Sequence, residues 1–209
     1  VTAPLTPTAP PTIVEPSMRR LLVTIAMGAT AVASTTIATA RPAARGVYAE
    51  AGLGADVLIG DAQHWAAPGP ALALRIGYDL WSFLSLGIAA GASTHEATVP
   101  PPPEGEYLQL YRARADGRLT ARVNALALYA EGGAGAAMIS SNVLGKVGVT
   151  DPGERFSIMF SGGAGLEYQL QNRHYALGLG GEYWVMPGFD SLQGIEARLF
   201  LRYTYGGAR

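Results

Sequence analysis

Ser93-Thr-His95-Glu96 sets a hydroxyl, an imidazole and a carboxylate within four residues, the group types of a nucleophile, its base and the group that orients the base. The spacing does not assemble them. In an extended chain side chains alternate faces, so Ser93 and His95 share one face and Glu96 takes the other. The remaining histidines stand apart: His64 lies near Asp61, and His174 sits between two strand-like runs. A metal centre needs three or four ligands at defined spacing, and the sequence shows no such cluster. With no cysteine, disulfides, thiolate metal sites and thiol catalysis are excluded. Gly132-Gly-Ala-Gly135 and Gly162-Gly-Ala-Gly165 lack the Lys-Ser/Thr of a phosphate loop and fall inside predicted strands. The expectation is a non-enzymatic chain without cofactor or metal.

What the sequence does concentrate is charge of fixed parity. Glu50 and Asp56 share the even positions of 47–59, while the odd ones run Val47, Ala49, Ala51, Leu53, Ala55, Val57, Ile59. Arg112, Arg114, Asp116 and Arg118 do the same in 107–121, and Glu196, Arg198 and Arg202 in 194–205. Arg75, Asp79, Glu131, Glu167 and Glu182 take the equivalent face of the other segments. Each segment therefore has one mostly apolar, uncharged face and one that carries all its charge. Glycines such as Gly52, Gly54, Gly163, Gly165, Gly178 and Gly180 share the charged face and leave room for long side chains.

Eight such segments follow one another, at about 47–59, 70–79, 83–95, 107–121, 125–139, 155–170, 175–186 and 194–205. Their connections alternate. Leu80–Ser82, Arg122–Asn124 and Gln171–His174 are short; Gly60–Gly69, Glu96–Glu106 and Ser140–Glu154 are long, and Pro187–Gln193 is intermediate. An even strand number with short turns at one end and longer loops at the other is the pattern of a transmembrane barrel, and about 9–11 residues per tilted strand suffice to cross a bilayer. Aromatics mark both ends of the apolar face. Tyr78, Tyr168, Tyr175, Tyr203 and Tyr205 lie near the short connections, with Trp81 in a turn, and Tyr107, Tyr111, Phe156, Phe160 and Tyr183 lie near the long ones. A soluble lipocalin-like barrel would need the opposite polarity, its charged face outward.

Composition agrees. Of 209 residues 49% are hydrophobic and 15% charged, with 27 Gly and 14 Pro. Charge is low for a soluble domain, where about a quarter is usual. Net charge is −1, and residues 41–209 carry 13 basic against 15 acidic side chains, which excludes the basic field a nucleic-acid partner requires. Residues 18–40, from Met18-Arg-Arg to Ala38-Thr-Ala40, read as a secretory signal with an apolar core and a small-residue cleavage site before Arg41. Residues 1–17, rich in Pro and Thr, read as an upstream mis-start extension, and 41–209 as the barrel.

Residues 41–209 resemble the small eight-stranded outer-membrane barrels of the OmpA/OmpX type. Leu199, Leu201, Tyr203 and Tyr205 in Arg198-Leu-Phe-Leu-Arg-Tyr-Thr-Tyr205 are similar to the C-terminal assembly signal of that superfamily, although Gly206-Gly-Ala-Arg209 follows where the family ends on an aromatic. The resemblance implies an all-β, antiparallel, up-and-down barrel in the outer membrane of a Gram-negative bacterium. It implies lipid and lipopolysaccharide around the barrel, barrel-assembly machinery and periplasmic chaperones as partners, and a monomer. Some such barrels are lipid A hydrolases, but the order of Ser93 and His95 departs from their His-x-Ser arrangement. An eight-stranded interior is just wide enough for its own side chains. The expectation is a self-neutralising plug of arginines and carboxylates and a role in envelope integrity or surface interaction. The alternatives are a narrow ion or small-solute channel and a lipid A-modifying hydrolase.

Overall fold

Alternation of apolar and polar side chains, not length of apolar run, makes the wall of this protein. The computed structural model describes residues 45–64, 66–98, 107–139, 155–189 and 192–206. Its strands are β1 (Val47–Ile59), β2 (Gly69–Asp79), β3 (Leu84–Glu96), β4 (Tyr107–Val123), β5 (Leu126–Ile139), β6 (Phe156–Gln169), β7 (Tyr175–Met186) and β8 (Leu192–Tyr205). Each pairs antiparallel with its neighbours in sequence, and β8 returns to β1 to close an up-and-down barrel. Closure leaves no free sheet edge, the condition for a β structure in lipid. The expected eight strands are all present. β4 runs on to Val123 and β8 begins already at Leu192, because pairing with β5 and β7 continues past the residues where sequence alternation weakens.

One end of the barrel carries the short turns, the start of β1 and the finish of β8; it is termed the turn end, and the other the loop end. Asn124 closes β4 to β5 with a φ of 57°, the left-handed conformation that asparagine tolerates in a two-residue hairpin turn. At the β2–β3 turn Trp81 stacks on Phe83, with ring centroids 5.8 Å apart. At the loop end the first connection forms a 3-10 turn, Gly60–His64, and then bridges to the end of β3 through Ala66 and Ala97. The segments Pro100–Pro103 and Val143–Val149, read as a spacer and a hairpin extension, lie outside the described residues, as do the leader and the upstream extension.

The burial pattern is the inverse of a soluble core. Leu199 is 67% exposed and Ile88 66%, whereas Arg118 is 0% exposed. Outward side chains from every strand form an apolar belt with Tyr, Trp and Phe at its two margins. That surface fits the acyl-chain layer of a bilayer, with aromatic rings at both interfaces. Inside, the larger rings rest against glycine: Tyr48 against Gly77 and Gly87, Tyr129 against Gly165 and Gly180, Phe200 against Gly178, and Trp184 against Gly194. A Cβ at any of these positions would meet the ring, so the wall glycines define where the interior aromatics fit.

Candidate functional site

The interior is the part of this fold that collects chemistry, and the inward parity of each strand sets its contents. At its centre Glu131 of β5 receives three guanidinium groups. Arg75 Nη1 donates to it at 2.7 Å, Arg118 Nε at 3.0 Å and Arg198 Nη2 at 2.5 Å. Arg75 also donates through Nε to Asp116 at 2.9 Å, and Arg118 Nη1 lies 2.9 Å from Glu50. Toward the loop end Arg198 donates to Glu182 at 2.8 Å, Arg114 donates to Glu182 through both Nη atoms, and Arg112 donates to Glu196 at 2.5 Å and stands 3.3 Å from Asp56. Toward the turn end Arg202 donates to Asp79, which also accepts from Ser85 Oγ at 2.6 Å. Arg118 and Arg202 reach Glu167 at 3.7 and 3.6 Å and tie this lower group to the rest.

The structure thus brings every charged interior residue named from the sequence into one connected set of ion pairs. Sequence reading missed one member. Arg122, assigned to a turn, is the last inward residue of β4 and donates to Glu167 at 2.7 Å and to Gln169 at 3.0 Å. Its signal was present, since the even-position series Arg112, Arg114, Asp116, Arg118 continues through Thr120 to Arg122. Aromatic faces support the cations. Arg118 lies over Tyr129 at 4.2 Å and Phe200 at 5.3 Å, Arg202 over Tyr48 at 3.9 Å, and Arg112 over Trp184 at 5.5 Å. Burying this much charge is costly, and the network persists because nearly every charge meets several opposite ones. Arginine suits it, since one planar fork can hold two carboxylates.

Above the ionic region the interior turns apolar. Leu58, Leu108, Leu110, Ile139, Met159, Trp184, Met186, Phe189 and Leu192, with Ala62, Ala66 and Ala137, form one buried cluster across the loop end. Sequence reading did not find this stopper, although these side chains have inward parity near the strand ends. Phe189 comes from the last connection and Ala62 and Ala66 from the first, so the loops complete it.

Between stopper and network lies the group that invited a catalytic reading. Ser93 Oγ and His95 Nε2 are 3.1 Å apart, and His95 Nδ1–H donates to the Ala67 carbonyl at 3.0 Å. In the neutral ring this makes Nε2 the acceptor for the serine hydroxyl. Asp56 Oδ2 stands 3.8 Å from the same Nε2 and accepts through Oδ1 from Trp184 Nε1 at 3.0 Å. Glu96, the carboxylate the sequence offered, faces outward and takes no part. Ser93 is 2% exposed, and His95 and Asp56 are 0%. The arrangement pins the first connection to β3, with Ala67 N–H donating to the Glu96 carbonyl at 2.8 Å. Among the described residues no three His, Asp or Glu side chains are placed to hold a metal ion.

Two cavities of about 10 Å³, each room for a single water, lie against the small side chains Ala73 and Ala89 and share Arg114 and Arg198. Arg112 Nε and Nη1 and Arg198 Nε are buried without hydrogen-bond partners; Arg198 lines both cavities and Arg112 one of them. On the outer face of β8, Leu199, Leu201, Tyr203 and Tyr205 of the expected assembly signal all point away from the interior, and Tyr203 packs on Tyr175 at 4.9 Å. Tyr205 pairs with Val47 at the seam that closes the barrel.

No protein-family model matches the chain, and none of the curated proteins matches it by sequence. Solved structures do match. Neisserial surface protein A superposes with a TM-score of 0.60 at 15% identity, covering 78% of this chain and 99% of that one. Ail of Yersinia pestis, in complex with the heparin analogue sucrose octasulfate, superposes with a TM-score of 0.50 at 17% identity, covering 76% and 98%. At such identities the likeness is one of fold: the small, closed, eight-stranded barrel of outer-membrane proteins.

Proposed function

We propose that this chain is an outer-membrane barrel with a sealed, non-conducting interior, acting in envelope integrity or surface contact and not in transport or catalysis. The observation that carries this reading is two seals in series. A water path through the barrel would have to cross the ion-pair network and then the dry stopper of Leu58, Leu110, Met159, Trp184 and Phe189. A hydrophobic constriction of this kind resists wetting on its own. The burial of Ser93, His95 and Asp56 argues equally against a hydrolase, since no substrate carbonyl can approach the hydroxyl. Lipid and lipopolysaccharide then surround a monomeric wall, and assembly factors read β8.

For surface contact, charge narrows the choice. Ail was solved with a polysulfate. Here the loop-end connections hold Asp61, Glu104, Glu106, Asp151, Glu154 and Asp190 against Lys146 and Arg155, a balance that disfavours a polyanion and suits a neutral or cationic partner. The test of the sealed interior is conductance. Purified protein in a planar bilayer is expected to give no steady current. Reproducible single-channel steps from the unaltered protein would replace this reading with the narrow channel.

A further inference from the structure

The interior absorbs most of the charge of the barrel, and what remains outside is segregated by end. In the sequence from Arg45 onward, every acid outside the interior series, from Asp61 and Glu96 to Asp190, belongs to a long connection or to the strand end that enters it. At the turn end the described charged side chains outside the network are cationic: Arg45 just before β1 and Arg173 in the β6–β7 turn, with His174 beside it. Arg45 and Arg173 are exposed, and among the described residues neither side chain has an ion-pair or hydrogen-bond partner. His174 Nδ1–H donates to the Thr204 carbonyl at 2.8 Å, which leaves Nε2 unpartnered.

Topology places these groups on one arc of the rim. His174 abuts the start of β7, its carbonyl accepts from Thr204 N–H near the end of β8 at 2.8 Å, and Tyr205 pairs with Val47 at the start of β1. β7 and β1 are separated by β8 alone, two strand spacings or roughly 10 Å, so two arginine side chains can converge on one headgroup. The tyrosines of the turn end fall on the same arc: Tyr175 and Tyr203 in contact, and Tyr205 beside them. On the opposite arc the margin is made by Trp81, Phe83, Val123 and Leu126, where the described cation, Arg122, is committed to Glu167. Tyrosine at a membrane margin sits at headgroup depth. The arginines directly beyond it therefore lie at the level of lipid phosphates.

We propose that this arc binds the headgroup of an anionic phospholipid in the leaflet that faces the turn end, Arg45 and Arg173 taking the phosphate, the neighbouring tyrosine hydroxyls completing the cradle and His174 Nε2 accepting from a headgroup hydroxyl. The inference rests on the outer-membrane reading above, which puts the turn end at the periplasmic leaflet. An arginine near an anionic lipid surface contributes about fivefold in affinity.

Native mass spectrometry of the full chain, isolated from membranes of an expressing Gram-negative host, tests it with phosphatidylglycerol and phosphatidylcholine of matched acyl chains. The unaltered protein is expected to retain phosphatidylglycerol in preference. Arg45→Gln and Arg173→Gln should each lower that preference about fivefold, and excess soluble glycerophosphate should not displace the lipid, because the belt also holds its acyl chains. Arg155→Gln, at the loop end, should leave the preference intact. Equal retention of both lipids by the unaltered protein, an undiminished preference in the Arg45→Gln/Arg173→Gln double variant, or the same loss in Arg155→Gln would each overturn the proposal. Failure of the membrane reading itself is separately visible: a chain that is not a closed barrel shows no heat-dependent gel shift, before any lipid is added.

Discussion

Arg118→Ala removes the guanidinium with the most complete set of interior partners, and its cost can be worked from what each partner keeps. Glu131 retains Arg75 at 2.7 Å and Arg198 at 2.5 Å. Glu50 retains only Arg75, at 4.0 Å, and is 6% exposed. The variant therefore strands one buried carboxylate and bares the face of Tyr129. Breaking a buried pair by removing one partner costs about 3–5 kcal/mol, and that figure is expected for the loss in unfolding free energy. Arg122→Ala should cost less, about 1–2 kcal/mol, because Glu167 keeps two cations, Arg118 at 3.7 Å and Arg202 at 3.6 Å. The double variant Arg118→Met/Glu50→Gln should regain most of the loss, since no uncompensated charge remains. Urea unfolding of the barrel in lipid vesicles, followed by heat-dependent gel mobility, measures all three. Equal losses for Arg118→Ala and Arg122→Ala, or no recovery in the double variant, would refute the reasoning that pairing, and not packing alone, holds the interior.

Other perturbations separate the two faces of the wall. Leu199→Arg puts a charge at an outward position of β8 and should cost about 2–4 kcal/mol of membrane stability, seen as loss of the membrane-inserted form, while Gln63→Arg in the first connection should be silent. Gly178→Ala drives a methyl group into the Phe200 ring and should destabilise by about 1–3 kcal/mol, with recovery in Gly178→Ala/Phe200→Leu; Gly181→Ala meets open space and should be neutral or slightly stabilising in the same unfolding assay. N-terminal sequencing of membrane-extracted protein should begin at or near Arg41.

The wall was legible in the sequence because period-2 alternation is local: the parity of Glu50 or Arg202 can be read without knowing what lies opposite. Which charges would meet was legible only as a set. Pairings such as Arg118 with Glu50, or Arg112 with Asp56, join residues brought together by the tilt and stagger of strands that are not neighbours. Arg122 was lost because a turn was placed two residues early, a boundary error that hydrogen bonding to β5 decides. The stopper was missed for a different reason. Near the loop end both parities are apolar, as in Leu58 beside Val57 and Ile59, so alternation of polarity vanishes where the lining becomes dry. The Ser93–His95 contact could be expected from parity, but its burial could not, since the Ala67 carbonyl that covers the ring comes from another connection.

The β1–β8 seam has a kinetic consequence. Glu50 and Asp56 of β1 bond mainly to residues of β4 and β7, far along the chain, and Trp184 reaches Asp56 across 128 residues. These bonds cross the interior, so they form only as the sheet curls round on itself. An open sheet of seven strands lacks Arg198 and Arg202, which leaves Asp79 without its arginine and Glu131 and Glu182 each short of one, so partial structures gain little by persisting. Contacts this distant in sequence also slow the search for the closed state. Closure is therefore expected to be late, slow and all-or-none, with the seam as the step an assembly catalyst would have to accelerate.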